Sequence, residues 1–174
     1  MQYILLQPIF FDRDQTQKSL NMTEKPNELD HDPADNILSL VHRLSNRIGG
    51  AFYSEVETQF GLSLGEWRVI MTLAHQPGST AIDITNRWAM DKMAVNRAIK
   101  KLENLQHLKR RQNPNDRRSY NLSLTPTGRE LYDKIVPTAN NRYHELVSVL
   151  SHDELAGLND QLSRLIDRAE LLDK

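Results

Sequence analysis

The spacing of apolar residues changes in the middle of the chain, and this change restricts the possible folds most strongly. Before Leu105, apolar residues recur every three or four positions, which is typical of amphipathic helices. Leu108 to Gln112 and Ser119 to Leu124 then read as two short strands, joined by the turn-forming run Asn-Pro-Asn-Asp. Thr125-Pro126 predicts an N-cap followed by proline at the first position of a new helix. The sequence therefore predicts a β-hairpin inside a mainly α protein.

Six helices are predicted around this hairpin. They are a long helix over about 35–60, a second after the capping box Ser63–Glu66, a short third from about Thr80, a fourth over about 91–105, a fifth from Pro126 to about Leu150 with a bend at Pro137, and a last one after the capping box Ser151–Glu154. Gly49-Gly50 weakens the first helix by about 1 kcal/mol per glycine relative to alanine. A close approach by another helix or a ligand would explain the pair, and so would a kink.

Charge is distributed unevenly along the 174 residues, although the net charge is only −1. Between Thr80 and Arg129 there are eleven Lys or Arg and four Asp or Glu, so this segment carries +7 and the remainder carries −8. A basic segment within an acidic protein is typical of a protein with a polyanionic partner. A solvated basic face without a partner is the alternative, and charge alone does not separate the two.

Two short helices followed by a hairpin make a winged helix-turn-helix, and this fold class, mainly α, is our prediction. The long helices at both ends carry apolar stripes, which predict a dimerisation layer. We expect residues 63–125 to form the winged helix-turn-helix, 35–62 and 126–174 the dimerisation region, and 1–34 a flexible acidic tail. Met22 is a second candidate for the start of translation, in which case residues 1–21 are an optional extension.

Composition argues against several other classes of protein. The chain has no cysteine, which excludes disulfides, thiolate metal sites and a cysteine nucleophile and fits a reducing cytoplasm. No apolar run reaches the about 18 residues needed to span a bilayer, so no membrane partner is expected. None of the six histidines lies in an HExxH pair, and the acidic run around His31 is interpreted as a solvated tail rather than a metal site. We therefore expect no catalytic residue, no metal and no cofactor.

The most specific pattern runs from Met90 to Gly128: MDKMAVNRAIKKLE, followed by LKRRQNPNDRRSYNLSLTPTG. With these motifs in this order, the chain resembles the MarR family of bacterial transcriptional regulators over roughly residues 37–170. Asp116-Arg117-Arg118 and the Leu-Thr-x-x-Gly pattern over 124–128 match the family in type and spacing. The family usually has glycine where this chain has Gln106, so Gln106 should either bear about 1 kcal/mol of strain in a left-handed conformation or use a different turn.

The resemblance implies a homodimer that binds a near-palindromic operator in double-stranded DNA. The outer face of the fourth helix would then supply the major-groove contacts: Lys92, Met93, Asn96, Arg97, Lys100 and Lys101. Asn96 is suited to adenine, Lys92 to guanine and Met93 to a thymine methyl group. The remaining three cations are better placed for phosphates, which position a protein without specifying sequence.

The hairpin would be the wing of the DNA-binding domain. Its predicted DNA-binding residues are Arg111, Asp116, Arg117 and Arg118. Arg117 is expected in the minor groove, where a narrow A·T-rich tract concentrates negative potential. Asp116 is expected to hold an arginine through a bidentate ion pair. Whether Arg118 is that arginine or binds phosphate stays open.

The resemblance also implies repression that a small molecule relieves, frequently an anionic aromatic compound. The stretches GEWRVIM and MDKMAVNRA are similar to regulators of hydroxycinnamate or related aromatic-acid catabolism. The expected ligand-binding residues are His42, Arg43, Ser45, Asn46, Arg47, Trp67 and Arg68. Arg68 would clamp a carboxylate beside the aromatic wall of Trp67, or alternatively form an ion pair with Glu66 or another acid.

A winged helix that contacts only another protein is the alternative function. Such a wing would be expected to expose apolar residues, whereas this one carries Lys109, Arg110 and Arg111 in its first strand.

Overall fold

The computed structural model describes residues 36–114, 116 and 118–172. The predicted acidic tail and the alternative start at Met22 lie outside these residues. The described elements are α1 (Ile37–Arg47), a π-helical segment (Ile48–Phe52), α2 (Tyr53–Phe60), α3 (Leu64–His75), α4 (Ala81–Trp88), α5 (Lys92–Asn104), β1 (Leu108–Gln112), β2 (Tyr120–Leu124), α6 (Pro126–Val147) and α7 (His152–Leu172). The chain divides into two compact units, one ending at Ser45 and the other running from Asn46 to Lys174. The mainly helical winged helix-turn-helix is confirmed, and it lies in the second unit.

Side-chain caps begin the helices where the sequence predicts them. Ser63 Oγ accepts from the Glu66 amide at 3.4 Å, and Glu66 Oε2 accepts from the Ser63 amide at 3.1 Å, so the capping box of α3 is complete. The equivalent box of Ser151 and Glu154 begins α7, and its hydrogen bonds hold the pKa of Glu154 below its usual value. Thr125 Oγ1 accepts from the Gly128 amide at 3.1 Å and begins α6.

The long first helix is interrupted, as the glycine pair predicted. Gly49 and Gly50 lie in the π-helical segment between α1 and α2. No described atom lies within 4 Å of the place where a Cβ would stand on either glycine. Close packing by another helix of the described chain therefore does not explain the pair. The pair instead coincides with a local widening of the helix, since the segment that holds it is π-helical.

The hydrophobic core joins α2, α3, α4, α5, the hairpin and α6. Its buried apolar residues are Val56, Leu62, Trp67, Val69, Ile70, Leu73, Ile84, Val95, Ala98, Ile99, Leu102, Leu108, Leu122 and Ile135. Four apolar residues at helical spacing form the buried face of α5: Val95, Ala98, Ile99 and Leu102. Leu105, at the same spacing, is 49% exposed because it is the C-cap, where the chain leaves the helix axis.

The hairpin is antiparallel and closely attached to the helices. Leu108 lies opposite Leu124, and Gln112 opposite Tyr120. The loop after α3 extends the pairing, because the Gly78 amide donates to the Leu122 carbonyl at 2.8 Å and the Leu122 amide donates to the Ser79 carbonyl at 3.0 Å. The position of the wing is therefore fixed by backbone hydrogen bonds as well as by its buried leucines.

The turn between α5 and β1 takes the strained conformation. Gln106 has φ of 60° in the left-handed region, which glycine adopts more easily. The hydroxyls of Thr125 and Thr127 both donate to the Gln106 carbonyl, at 2.6 and 2.8 Å. A Cβ on Gly128 would stand 1.9 Å from the carbonyl oxygen of His107. The start of α6 therefore packs directly on this turn and holds its conformation.

Replacing Gln106 with Gly should raise the free energy of unfolding by about 0.5–1 kcal/mol, because the left-handed strain is removed at the cost of some entropy in the unfolded chain. Urea denaturation followed by circular dichroism measures this change. Gln76→Gly is the matched control, since Gln76 has φ of −132° and no such strain to lose. We expect that control to be destabilised; equal effects of the two substitutions would contradict the strain.

Candidate nucleic-acid interface

α5 presents one polar face toward the hairpin. Lys92, Asn96 and Lys100 lie on this face at helical spacing and line a groove of about 820 Å³. The hairpin closes the other side of the groove with Arg110, Arg118 and Tyr120, and the start of α4 adds Thr80 to Ile82. The structure thus brings three predicted helix residues and one predicted wing residue together. Met93 is 62% exposed at the start of α5.

The turn before α5 holds this helix against α4. Ala89 has φ of 47°, which reverses the chain sharply, and Asp91 Oδ1 then caps α5 by accepting from the Ala94 amide at 2.9 Å. Trp88 at the end of α4 donates its indole N–H to Thr72 Oγ1 at 2.9 Å. These contacts leave the first turn of α5 exposed and its cap satisfied.

A different face of α5 lies against the start of α3. Arg97 and Lys101 line a second cleft there, of about 520 Å³, together with Arg68 and Met90. Lys101 Nζ lies 2.9 Å from Glu66 Oε2 and 3.3 Å from the Gly61 carbonyl oxygen. The prediction grouped Lys100 and Lys101 as phosphate contacts, but the structure places them on different sides of the helix.

Glu103 and Arg110 join α5 to the wing. The Arg110 guanidinium binds the Glu103 carboxylate through two contacts, from Nε to Oε1 at 2.7 Å and from Nη2 to Oε2. The same guanidinium lies over the Tyr120 ring, with Cζ 5.6 Å from the ring centroid. No pattern in the sequence indicates this ion pair, because its two residues are seven positions apart across a change of secondary structure.

Asp116 makes hydrogen bonds with the residues that follow it in the wing. Its carboxylate accepts from the Arg118 backbone amide at 2.9 Å, and its carbonyl accepts from the Ser119 amide at 3.0 Å. Among the described residues no ion pair links Asp116 to the Arg118 side chain. One carboxylate oxygen of Asp116 thus completes an aspartate turn, and which arginine its carboxylate pairs with stays a prediction. Arg117 lies outside the described residues, and Arg111 is exposed on β1.

The predicted aromatic wall of the ligand pocket needs a correction. Trp67 is only 2% exposed and stacks on Tyr132 with ring centroids 5.8 Å apart, so it belongs to the core. The ring against Arg68 is Trp88, with the guanidinium carbon 5.2 Å from its centroid. Glu66 pairs with Lys101, so the expected alternative partner of Arg68 is occupied elsewhere.

Arg68 also retains unused hydrogen-bonding capacity. Its Nε is buried and makes no hydrogen bond. Burial raises the pKa of nearby Tyr53, and the positive charge of Arg68 partly opposes this rise. A buried guanidinium N–H without an acceptor is uncommon in folded proteins.

The other expected ligand residues lie on α1, where their side chains are exposed. His42, Arg43 and Ser45 belong to the first unit, and Asn46 and Arg47 begin the second. Their assembly with Arg68 into one cleft stays a prediction.

The described residues contain no group of three or more His, Asp or Glu that could hold a metal ion. None of their helices is long and apolar enough to cross a membrane.

Comparison with known proteins agrees with this geometry. Residues 60–119 match the model of the MarR family. A MarR/EmrR family transcriptional regulator from Acinetobacter sp. ADP1 matches with a TM-score of 0.72 and 26% identity, over 77% of this chain and 94% of that protein. No curated protein sequence shows a significant match.

Two further solved structures share the fold at lower identity. BpsR of Bordetella bronchiseptica, whose DNA binding is regulated by 6-hydroxynicotinic acid, has a TM-score of 0.70 and 23% identity over 79% of this chain and 97% of its own. PcaV of Streptomyces coelicolor, solved with its natural ligand, has a TM-score of 0.68 and 20% identity over 82% of this chain and 99% of its own.

Replacing Glu103 with Gln should loosen the wing, because Arg110 loses its charged partner. We expect faster amide hydrogen exchange in β1 and β2 and unchanged exchange in the core of α3, with an overall loss of at most about 1 kcal/mol. Exchange mass spectrometry measures both segments. Glu57→Gln, at an exposed acid on α2, is the control. Equal hairpin exchange in the two variants would show that the ion pair between Glu103 and Arg110 does not hold the wing.

Proposed function

Since its winged-helix region belongs to the MarR family of transcriptional regulators, we propose that this chain binds double-stranded DNA and controls transcription in response to a small molecule. The observation that carries the proposal is the groove between α5 and the hairpin. Lys92, Asn96 and Lys100 share it with Arg118, so the cations face one concave surface. A concave surface lined by cations beside an exposed helix is suited to binding the phosphate backbone of a DNA duplex.

In this proposal α5 enters the major groove. Asn96 and Lys92 contact adenine and guanine edges, and Met93 contacts a thymine methyl group. Lys100 and Arg97 bind phosphates. On the wing, Arg111 and Arg118 bind phosphate and Arg117 enters the minor groove, while Asp116 holds the tip in shape through the Arg118 amide. Residues 63–125 thus form the DNA-binding domain.

The acting form in this proposal is a homodimer on a near-palindromic operator. Both terminal helices expose apolar side chains: Leu38 of α1 is 73% exposed and Ile166 of α7 is 61% exposed. Apolar stripes of this kind are typical of protein interfaces. Segments 35–62 and 126–174 would form the dimer layer, and the two copies of α5 would lie about 34 Å apart, one turn of DNA.

The effector in this proposal is a small anionic aromatic compound. Its carboxylate would bind Arg68, whose Nε is buried without an acceptor and whose guanidinium lies on Trp88. The regulation of BpsR by 6-hydroxynicotinic acid supports an aromatic acid as the chemical class. If the bound effector favours a dimer whose two copies of α5 are too close or too far apart to reach adjacent grooves, it lowers DNA affinity and relieves repression.

The competing function is a winged helix that binds only a protein partner. The exposed residues of β1, from Lys109 to Gln112, disfavour it, since three of the four are cationic and none is apolar. We further propose a cytoplasmic location and no catalytic activity, consistent with the regulators that this chain matches.

DNA binding is tested with a fluorescent duplex taken from the region upstream of the gene. Lys100→Ala should weaken binding and reduce the slope of log affinity against log salt by about 1, because one phosphate contact is lost. Asn96→Ala should cost about 1–3 kcal/mol on the operator and little on random DNA. Lys134→Ala, at an exposed lysine of α6 outside the groove, is the matched control. Absence of wild-type binding at low salt would favour the protein-binding alternative.

Effector binding is tested by thermal shift with hydroxycinnamates, hydroxybenzoates and 6-hydroxynicotinic acid. A binding acid should raise the wild-type Tm, and Arg68→Met should abolish the rise because the carboxylate loses its guanidinium partner. Arg68→Lys keeps the charge but not the planar fork, so it should restore only part of the rise. Arg164→Met on α7 controls for loss of a surface arginine. An unchanged rise in Arg68→Met would exclude the clamp.

A further inference from the structure

Among the described residues, Lys101 is the one cation of α5 with an ion-pair partner. Its Nζ lies 2.9 Å from Glu66 Oε2 and 3.3 Å from the Gly61 carbonyl oxygen. Lys100, the next residue back, lines the groove that faces the hairpin, and Lys101 does not. Consecutive residues of an α-helix point about 100° apart, so two adjacent lysines face different surroundings.

Glu66 is the reason why Lys101 is held. The Glu66 side chain is only 7% exposed, whereas that of Lys101 is 49% exposed. The same oxygen, Oε2, also accepts from the Ser63 amide at 3.1 Å to cap α3. A carboxylate removed from water needs a positive partner, and removing that partner is costly.

The Gly61 carbonyl adds a third element to this contact. Gly61 follows α2 with φ of 66°, and its amide donates to the Glu57 carbonyl at 2.9 Å. Lys101 therefore reaches the end of α2 and the start of α3 at the same time. One ammonium group on α5 links both of these helix ends.

We propose that Lys101 is a positioning residue, which fixes the rotation of α5 against α3 so that Asn96 and Lys100 face DNA, and that it does not bind phosphate. The proposal rests on the DNA-binding function proposed above. A phosphate would have to compete with a carboxylate that is already desolvated and in contact, and so interacts more strongly than a solvated anion. Because the contact exists before DNA binds, α5 loses less freedom on binding.

A double-mutant cycle separates the two roles of Lys101. The variants are Lys101→Met, Glu66→Gln and the double variant, with Lys100→Met as the matched neighbour. Glu66→Gln keeps an acceptor for the Ser63 amide, so the cap survives while the charge pair is lost. Operator affinity is measured for each variant across a salt series.

A positioning role predicts that Lys101→Met weakens binding about threefold to fivefold with an unchanged salt slope, and has little further effect in the Glu66→Gln background. Lys101→Arg should restore affinity because it renews the ion pair. Lys100→Met should instead reduce the salt slope by about 1. A reduced slope for Lys101→Met, or additive losses in the cycle, would overturn the proposal.

A second measurement does not depend on DNA. Lys101→Met should speed amide exchange in the first turn of α3, from Leu64 to Trp67, and Lys100→Met should not. Unchanged exchange in Lys101→Met would show that the contact does not hold α3 and would overturn the proposal even if the wild type binds DNA. If Lys101→Met speeds this exchange but the wild type binds no operator, only the DNA-binding function is refuted, and the link between α3 and α5 stands.

Discussion

The packing of α6 on the turn after α5 is the constraint on which the arrangement of the winged helix depends. Gly128 approaches the His107 carbonyl so closely that a Cβ would overlap it, and two threonine hydroxyls donate to the Gln106 carbonyl. α5, β1 and the start of α6 therefore meet at one fixed point. Because the turn cannot relax, the chain tolerates a left-handed glutamine where glycine would be easier.

Beyond the turn after α5, two ion pairs set the orientation of this helix. Glu103 and Arg110 join its C-terminal end to the wing, and Glu66 and Lys101 join its inner side to α3. Of the remaining cations on the helix, Lys92 and Lys100 line the groove, and Arg97 lines the cleft beside Lys101. A basic segment of this kind thus divides its charges between holding the structure and facing a ligand, and net charge does not distinguish the two uses.

Much of the fold could be predicted from the sequence, because caps and periodicity are local properties. Ser63, Thr125 and Ser151 marked helix starts correctly, since each needs only residues within three positions to complete its hydrogen bonds. The candidate site was predicted less completely. The aromatic partner of Arg68 proved to be Trp88 rather than its neighbour Trp67, because adjacent residues on a helix point in different directions and Trp67 faces the core.

The sequence by itself determined the order of elements, the hairpin within the basic segment and the identity of the exposed face of α5. Only the tertiary structure decided which cations have partners: Lys101 is bound to a carboxylate 35 residues away, and Arg110 to one on the preceding helix. The physical reason is that an ion pair depends on distance in space. Sequence periodicity shows which side chains share a face, but not which oxygen the folded chain brings within 3 Å of a given nitrogen.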